Sequence, residues 1–373
     1  MSPRLALAWY YHLPSIATRI EVRDHAYQSL ALLLRVHREL RTPVLIAPTG
    51  SFLSLCRRDA PEVIDDLLDM YHSGLAEPAT TYFHEVDPFS IPWTHLQEQI
   101  RRDHHYKTEL AGRSPVWFFA PNFAWHPATD RLLATLEIGG AVLDSRHLTS
   151  AATARGWKWS TDAFGGVTAT DTPAFVSPWE HRRVRTLSVG SARPMHVLFR
   201  DWPLTRALTF GNDSEIHKPD RDVHAHLAEC DRRDLIVLAD DGDRIRPASR
   251  RGYQELLGFA RDVADWQALA EEISPLPSLR ELPAFSQPGF DELLRRSLDA
   301  RMYWSLLNQI AALPLDSTQL NRLLALQDVF YPFWKGCGRR RWYLDAAVEL
   351  LGELHEQGGY QPTVHAASSR APL

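Results

Sequence analysis

Residues 235–243 read LIVLADDGD: five apolar residues, then three carboxylates around a glycine. An apolar run with no polar interruption predicts a strand buried on both faces, which is the pattern of a parallel sheet rather than of a sheet with one wet face. The change to Asp240-Asp241-Gly242-Asp243 places acid groups at the strand's carboxyl end, where ligands collect in β/α folds. Apolar bursts of similar length recur at 5–11, 44–47, 116–120, 141–143 and 196–199. Between them, 25–40, 60–73, 93–110 and 130–136 carry apolar residues at three- and four-residue steps, the helical period. Strands alternating with helices give an α/β fold whose parallel sheet is covered by helices, either open or closed into a barrel.

The 373 residues accommodate a barrel of about 250 residues and a smaller appendage. Residues 151–193, rich in Ser, Thr, Gly and Arg, break the alternation and read as an excursion near the rim. Pro275, Pro277, Pro283 and Pro288 rule out a helix or central strand there, so 273–288 reads as a linker between a barrel at 1–272 and a separate C-terminal part. Beyond the linker the period is helical at 291–312, at 318–331 with Asp316 or Ser317 as N-cap, and at 340–356, which predicts a helical bundle over 289–358. The tail 359–373 has no pattern and is expected to be disordered.

Composition excludes several functions. Lys plus Arg is 41 and Asp plus Glu is 46, a formal charge of −5, which does not suit a nucleic-acid module. Cys56, Cys230 and Cys337 stand too far apart for a disulfide framework or a thiolate zinc site, and a reducing, cytoplasmic setting is expected. No apolar run is long enough to span a membrane. Glycine-rich phosphate loops and the nucleophile-elbow string are absent from the sequence. Among 17 histidines no two stand four apart, while His104-His105 and His224-Ala225-His226 lie on helical segments where such neighbours diverge. Neither a metal nor a cofactor is expected, and a homodimer is expected only on base rate.

Four polar clusters fall at strand ends. They are His12 after LALAWYY; Gly74-Leu75-Ala76-Glu77 leading into Tyr82-Phe83-His84-Glu85; Pro121-Asn122-Phe123-Ala124-Trp125-His126 after VWFFA; and Asp240 to Asp243. Each alone has an ordinary explanation: an Asp turn, a buried imidazole, a solvated Glu77, a core Trp125. Their coincidence at matching strand ends predicts a pocket.

Taken in order, these stretches resemble family 57 of the glycoside hydrolases, most closely its 4-α-glucanotransferase-like branch. His12-Leu13-Pro14 is similar to the family's His-Gln-Pro motif, and Gly74 to Glu77 to its Gly-x-x-Glu. Phe199-Arg200-Asp201 is similar to the segment before the fourth motif, and Asp240-Asp241-Gly242-Asp243 to the Asp-Asp-Gly-Glu of that motif. In the helical part, Leu326-Gln327 through Phe333-Trp334-Lys335-Gly336, with Gly338 and Trp342-Tyr343-Leu344, resembles the family's bundle segment. The resemblance implies a distorted (β/α)7 barrel followed by a C-terminal α-helical bundle that helps form the site, with Asp241 at the acid/base position.

Where the family places its glutamate nucleophile, this chain carries Asn122. Retaining glycosidases need two carboxyl groups about 5–5.5 Å apart, and a neutral amide cannot supply the anionic nucleophile. Three readings are then open. One is a glycoside-processing enzyme of non-standard mechanism, with Asp241 as general acid/base, either a substrate group attacking or Glu77, Glu85 or Asp243 activating water, and a small carbohydrate or glycosylated metabolite as substrate. The second is an inactive carbohydrate-binding or regulatory homologue. The third is a different reaction on the same scaffold. His12, Glu77, Glu85, Arg200, Asp201 and Asp243 are the expected polar contacts, with Trp125, Tyr82, Phe83 and Trp334 as stacking surfaces. Arg182, Arg183 and Arg185 read as solvated surface, with recognition of an anionic substituent as the alternative.

Overall fold

The computed structural model describes residues 4–89, 91–126, 128–144, 159–161, 167–169, 182, 184–187, 194–201, 204–205, 230, 234–245, 250–259, 262–272, 298–328 and 340–358. Its strands are β1 (Arg4–Tyr11), β2 (Val44–Pro48), β3 (Ala76–Thr80), β4 (Trp117–Phe119), β5 (Gly140–Asp144), β6 (Trp159–Thr161), β7 (Val167–Ala169), β8 (Arg185–Leu187), β9 (Met195–Arg200) and β10 (Leu235–Asp241). Seven of them, β1 to β5 with β9 and β10, pair in parallel, and β10 bonds to both β1 and β9. The sheet therefore closes into a seven-stranded parallel barrel. β8 lies antiparallel on β9, and β6 pairs with β7 in a separate ribbon.

Both faces of the barrel wall are buried, which is why its strands read as unbroken apolar runs. In β1, Leu5, Leu7, Trp9 and Tyr11 pack outward into the helical layer, while Ala6, Ala8 and Tyr10 join the interior core with Leu45, Ala47, Trp117, Phe119, Val237 and Ala239. Small residues on β1 and β10 make room for the large rings of β4. Gly140 of β5 is part of this fit, since a Cβ there would lie 2.4 Å from the Trp117 ring.

β3 has no apolar run to announce it, because it reads AEPAT. Pro78 lacks the N–H of a central strand, and pairing with β4 starts only at Ala79. The strand is held from outside instead. Asp103 on α5 (Trp93–Ala111) accepts from the backbone N–H groups of Gly50 and Thr81, and Lys107, 2.7 Å from Asp103, donates to the Ala79 carbonyl at 2.6 Å. Burial lowers the Lys107 pKa and raises that of Asp103, while each partner's charge acts the other way. Every bond of the pair goes to the ends of β2 and β3, the arrangement that lets a buried ion pair persist.

The remaining helices are α1 (Arg19–His25), α2 (Ala31–Leu40), α3 (Gly50–Asp59), α4 (Pro61–His72), α6 (Thr129–Thr135), α7 (Arg250–Phe259), α8 (Trp266–Glu271), α9 (Leu298–Ala311), α10 (Ser317–Leu326) and α11 (Arg340–Gly358). A π turn, Ala26–Leu30, joins α1 to α2. Asp316 caps α10 in a reciprocal box with Gln319. Helices α9 to α11 pack on one another and on the barrel. Tyr303, Leu307, Tyr343 and Leu350 share a single core with Tyr82, Phe118, Trp125, Leu143 and Phe199. Gln99 of α5 donates to the Leu324 carbonyl at 3.1 Å, and Gln327 donates to His95 Nδ1 at 2.8 Å. The bundle is thus fastened through α5, the same helix that holds β3. The expected linker and the tail lie outside the described residues. Among the described residues no helix is long and apolar enough to cross a membrane.

Candidate active site

β1 and β10 are neighbours with Tyr10 opposite Asp241. Both share the alternation of Ala8 and Ala239, which face the barrel interior, so both point inward at the mouth. After Asp241 the chain turns through Gly242–Arg244, where the Asp241 carboxylate accepts from the Asp243 N–H at 3.4 Å. Only glycine fits at 242, because a Cβ would lie 2.3 Å from the Tyr11 ring. Ser29, in the π turn, donates to the Gly242 carbonyl at 2.5 Å. Such turns are rare and gather at functional sites; here one residue of the turn holds the acid loop.

His12, the first residue past β1, stacks on Tyr10 with centroids 5.3 Å apart, and Tyr10 stacks on Phe119 at 5.7 Å. The imidazole Nε2 lies 2.6 Å from Oε2 of buried Glu85. Burial works to lower the His12 pKa, but the Glu85 charge and hydrogen bond, helped by Asp241 and Asp328, outweigh it and raise the value to about 9. His12 is an imidazolium at neutral pH, paired with the Glu85 carboxylate. Asp241 is partly open to solvent yet ringed by protein. Burial and the neighbouring Asp243 charge push its pKa up to about 7, against the pull of His12 and Arg244.

One member of the group was not singled out by the sequence. Asp328, two residues past α10, is fully buried, and its pKa is driven well above the carboxylate range by burial and then by the Glu85 charge, with His12 and the Ser15 backbone acting in the opposite direction. Its signal was its place beside Leu326-Gln327, at the start of the helical stretch that resembles the family's bundle segment. The bundle therefore supplies an acid to the barrel's site, consistent with the shared core.

Arg200, at the end of β9, donates from Nε to Asp144 at 2.5 Å and from Nη1 to the Ala239 carbonyl at 3.3 Å, and lies 3.8 Å from Asp240. Its guanidinium sits 3.7 Å over the Phe123 ring, a cation–π contact. Phe123 has φ +56°, a left-handed conformation costing a side-chain-bearing residue about 1–2 kcal/mol. Arg200 thus braces the strained turn Pro121–Phe123 that follows β4 and carries Asn122. The side chain of Asn122 lies outside the described structure.

Several expected site residues are elsewhere. Glu77 does not reach the mouth. It lies in β3 at the level of Leu45, gripped by Arg113 at 2.9 and 2.8 Å, and Arg113 enters from the loop before β4. Asp201 accepts from Arg182 at 3.1 Å and from the Leu204 N–H, and its own N–H bonds to Val237, well below the mouth. Arg182 is correspondingly neither solvated nor facing a ligand, being 3 % exposed and also bonded to Cys230. Trp125 and Tyr82, at 1 % and 0 % exposure, lie in the core between barrel and bundle and offer no free ring face. The turn Pro121–Phe123 breaks the strand alternation, and Trp125 packs with Phe118 and Ala120 against the helices. Trp334, Arg183 and Cys337 fall outside the described residues. Among the described residues no cluster of three or more His, Cys, Asp or Glu could hold a metal ion.

A closed parallel β/α barrel flanked by a helical bundle, with its acids gathered where the first and last strands end, defines a class of barrel proteins whose ligands bind at the carboxyl face. The glycosyl hydrolase family 57 model matches residues 8–262, and the chain belongs to that family. The 4-α-glucanotransferase of Thermococcus litoralis is similar in fold, with a TM-score of 0.72 at 14 % identity over 97 % of this chain and 60 % of that one. A branching enzyme of Thermococcus kodakaraensis gives 0.69 at 12 % identity over 96 % and 94 %, and that of Pyrococcus horikoshii 0.60 at 12 % over 96 % and 95 %. The chain spans about 60 % of the length of the glucanotransferase. No curated protein matches the sequence.

Proposed function

We propose that this chain is a glycoside-processing enzyme acting on a small glycoside, with Asp241 as general acid and then general base. The observation that carries the reading is the pKa of Asp241, raised to about 7, which leaves a proton available at neutral pH, as a general acid needs. In the step proposed, the Asp241 proton passes to the glycosidic oxygen as the bond to the anomeric carbon breaks. The electron pair replacing that bond comes from a neighbouring group of the substrate or from water, since Asn122 offers none. In the water route another carboxylate takes the water's proton. Glu85 and Asp243 are the candidates, because Glu77 is committed to Arg113 inside the barrel. His12 pairs with Glu85 at 2.6 Å, and burial drives the Asp328 pKa upward, the direction that favours its protonated, hydrogen-bond-donating form.

A second reading, an inactive carbohydrate-binding homologue, is favoured by the amide at position 122. Maltooligosaccharides and p-nitrophenyl glycosides, including N-acetylated ones, separate the two when turnover is followed by NMR for the wild type and Asp241→Asn. The enzymatic reading expects turnover by the wild type, a drop of about 10²–10⁴-fold in the variant, and a rate that declines above pH 7 as Asp241 loses its proton. Sugar binding without turnover of any substrate leaves the binding homologue. The first product anomer formed reports inversion or participation.

A further inference from the structure

Phe89, Trp93 and His126 form an aromatic group that the catalytic reading does not use. The Trp93 and His126 rings stack at 5.1 Å and 22°, and the Phe89 ring lies 5.5 Å from His126 at 42°. Phe89 is 41 % exposed, one of the few large apolar side chains so open to solvent among the described residues. Trp93 is anchored against the barrel–bundle core. The His126 Nδ1 accepts from the Ala128 N–H at 3.2 Å, so in the neutral ring the proton sits on Nε2, which is a donor. The Phe89 N–H is in turn held by the buried Asp87 carboxylate at 3.2 Å. The main chain that carries the exposed ring is therefore tied down, and the ring itself rests against His126.

Its place in the fold ties this group to the site. Phe89 and Trp93 lie on the connection from β3 to α5, and His126 on that from β4 to α6. Both are loops of the carboxyl face, where barrel ligands bind. Phe89 is four residues beyond Glu85, and His126 four beyond Asn122, so each backbone is within about 14 Å of its site residue even if the chain is fully extended. A pyranose presents an apolar C–H face to an aromatic ring and hydroxyls at its edge. An open phenyl ring beside a ring N–H donor matches both features.

We infer that Phe89, Trp93 and His126 are an outer subsite that holds the non-reacting ring of the substrate, its C–H face on Phe89 and an edge hydroxyl on His126 Nε2. This rests on the glycoside reading and sharpens it: the substrate has at least two rings, one at Asp241 and one on the platform. Trp125, buried as it is, plays no part in this contact.

The test measures the affinity of glucose, maltose, maltotriose, N-acetylglucosamine and chitobiose by titration calorimetry for the wild type, Phe89→Ala, Phe89→Trp and His126→Gln. The expected result is tighter wild-type binding of a two-ring sugar than of its monosaccharide. Phe89→Ala weakens that two-ring sugar by about three- to tenfold, leaves the monosaccharide unchanged, and Phe89→Trp restores the difference. His126→Gln, whose amide keeps a donor, loses less than Phe89→Ala. If one- and two-ring sugars bind equally, or if Phe89→Ala weakens both alike, the platform is refuted while the glycoside reading stands. If none of the five binds the wild type, both fall together.

Discussion

Replacing the acid at the barrel mouth, Asp241→Asn, is expected to make the folded protein more stable. Asp241 takes up its charge near pH 7 in the folded chain and near the ordinary 3.8 when unfolded. Between those values the unfolded chain gives up the proton first, so folding is penalised progressively as pH rises, and the penalty levels off above about 7. Roughly three pH decades at about 1.4 kcal/mol each set a ceiling of about 4 kcal/mol. The carboxyl is still reached by solvent, which screens the interaction and brings the expected gain to about 2–3 kcal/mol at pH 8. Asparagine has nearly the same shape and can still accept from the Asp243 N–H, so packing is preserved. Urea unfolding of both proteins at pH 4, 6 and 8 reads this directly as a difference in midpoint at constant slope. The gain should be near zero at pH 4 and largest at pH 8. A gain independent of pH, or a variant less stable at pH 8, would refute the assignment of a strained, proton-holding acid. Stability gained where activity is lost is the trade expected of a catalytic group.

Glu85→Gln should lower the His12 pKa and cost about 3 kcal/mol below pH 6.5. Because the folded value of about 9 lies above the ordinary 6.5, that contribution is complete below 6.5 and vanishes as pH rises through 9, so unfolding of the two proteins should converge there. Arg113→Ala, which removes the cation paired with buried Glu77, should cost about 2–4 kcal/mol, while sugar affinity in whatever remains folded stays unchanged. A fall in affinity with no loss of stability would return Glu77 to the ligand site. Asn122→Glu should introduce ordinary α-glucan transfer, detected by chromatography of maltooligosaccharide products; its absence would show that the site departs from the family pattern at more than this residue.

The barrel was legible wherever a strand was buried on both faces, as at 5–11 and 235–239. It was not legible at β3, where AEPAT is held by Asp103 and Lys107 of α5 rather than by its own apolar side chains. The site shows the same division. His12, Glu85, Asp241 and Asp243 are strand-end residues found by position along the chain. Glu77 and Asp201 satisfied the same rule, but cations that the local sequence does not identify, Arg113 and Arg182, claimed them. Asp328 was missed because it belongs to the bundle, and only the packing of α9 to α11 on the barrel brings it to Glu85 and His12.

By itself the sequence determined which segments are strands and helices over most of the barrel, because the period of apolar residues is a local property of the chain. It also determined that an amide stands where an acid nucleophile is expected, because residue identity is chemistry. Tertiary structure decided which of the acids carry protons. Asp241 near 7, His12 near 9 and Asp328 pushed upward are the outcome of burial and of charges that arrive from distant parts of the chain, and no local pattern encodes a field made by groups that meet only when the barrel closes and the bundle docks.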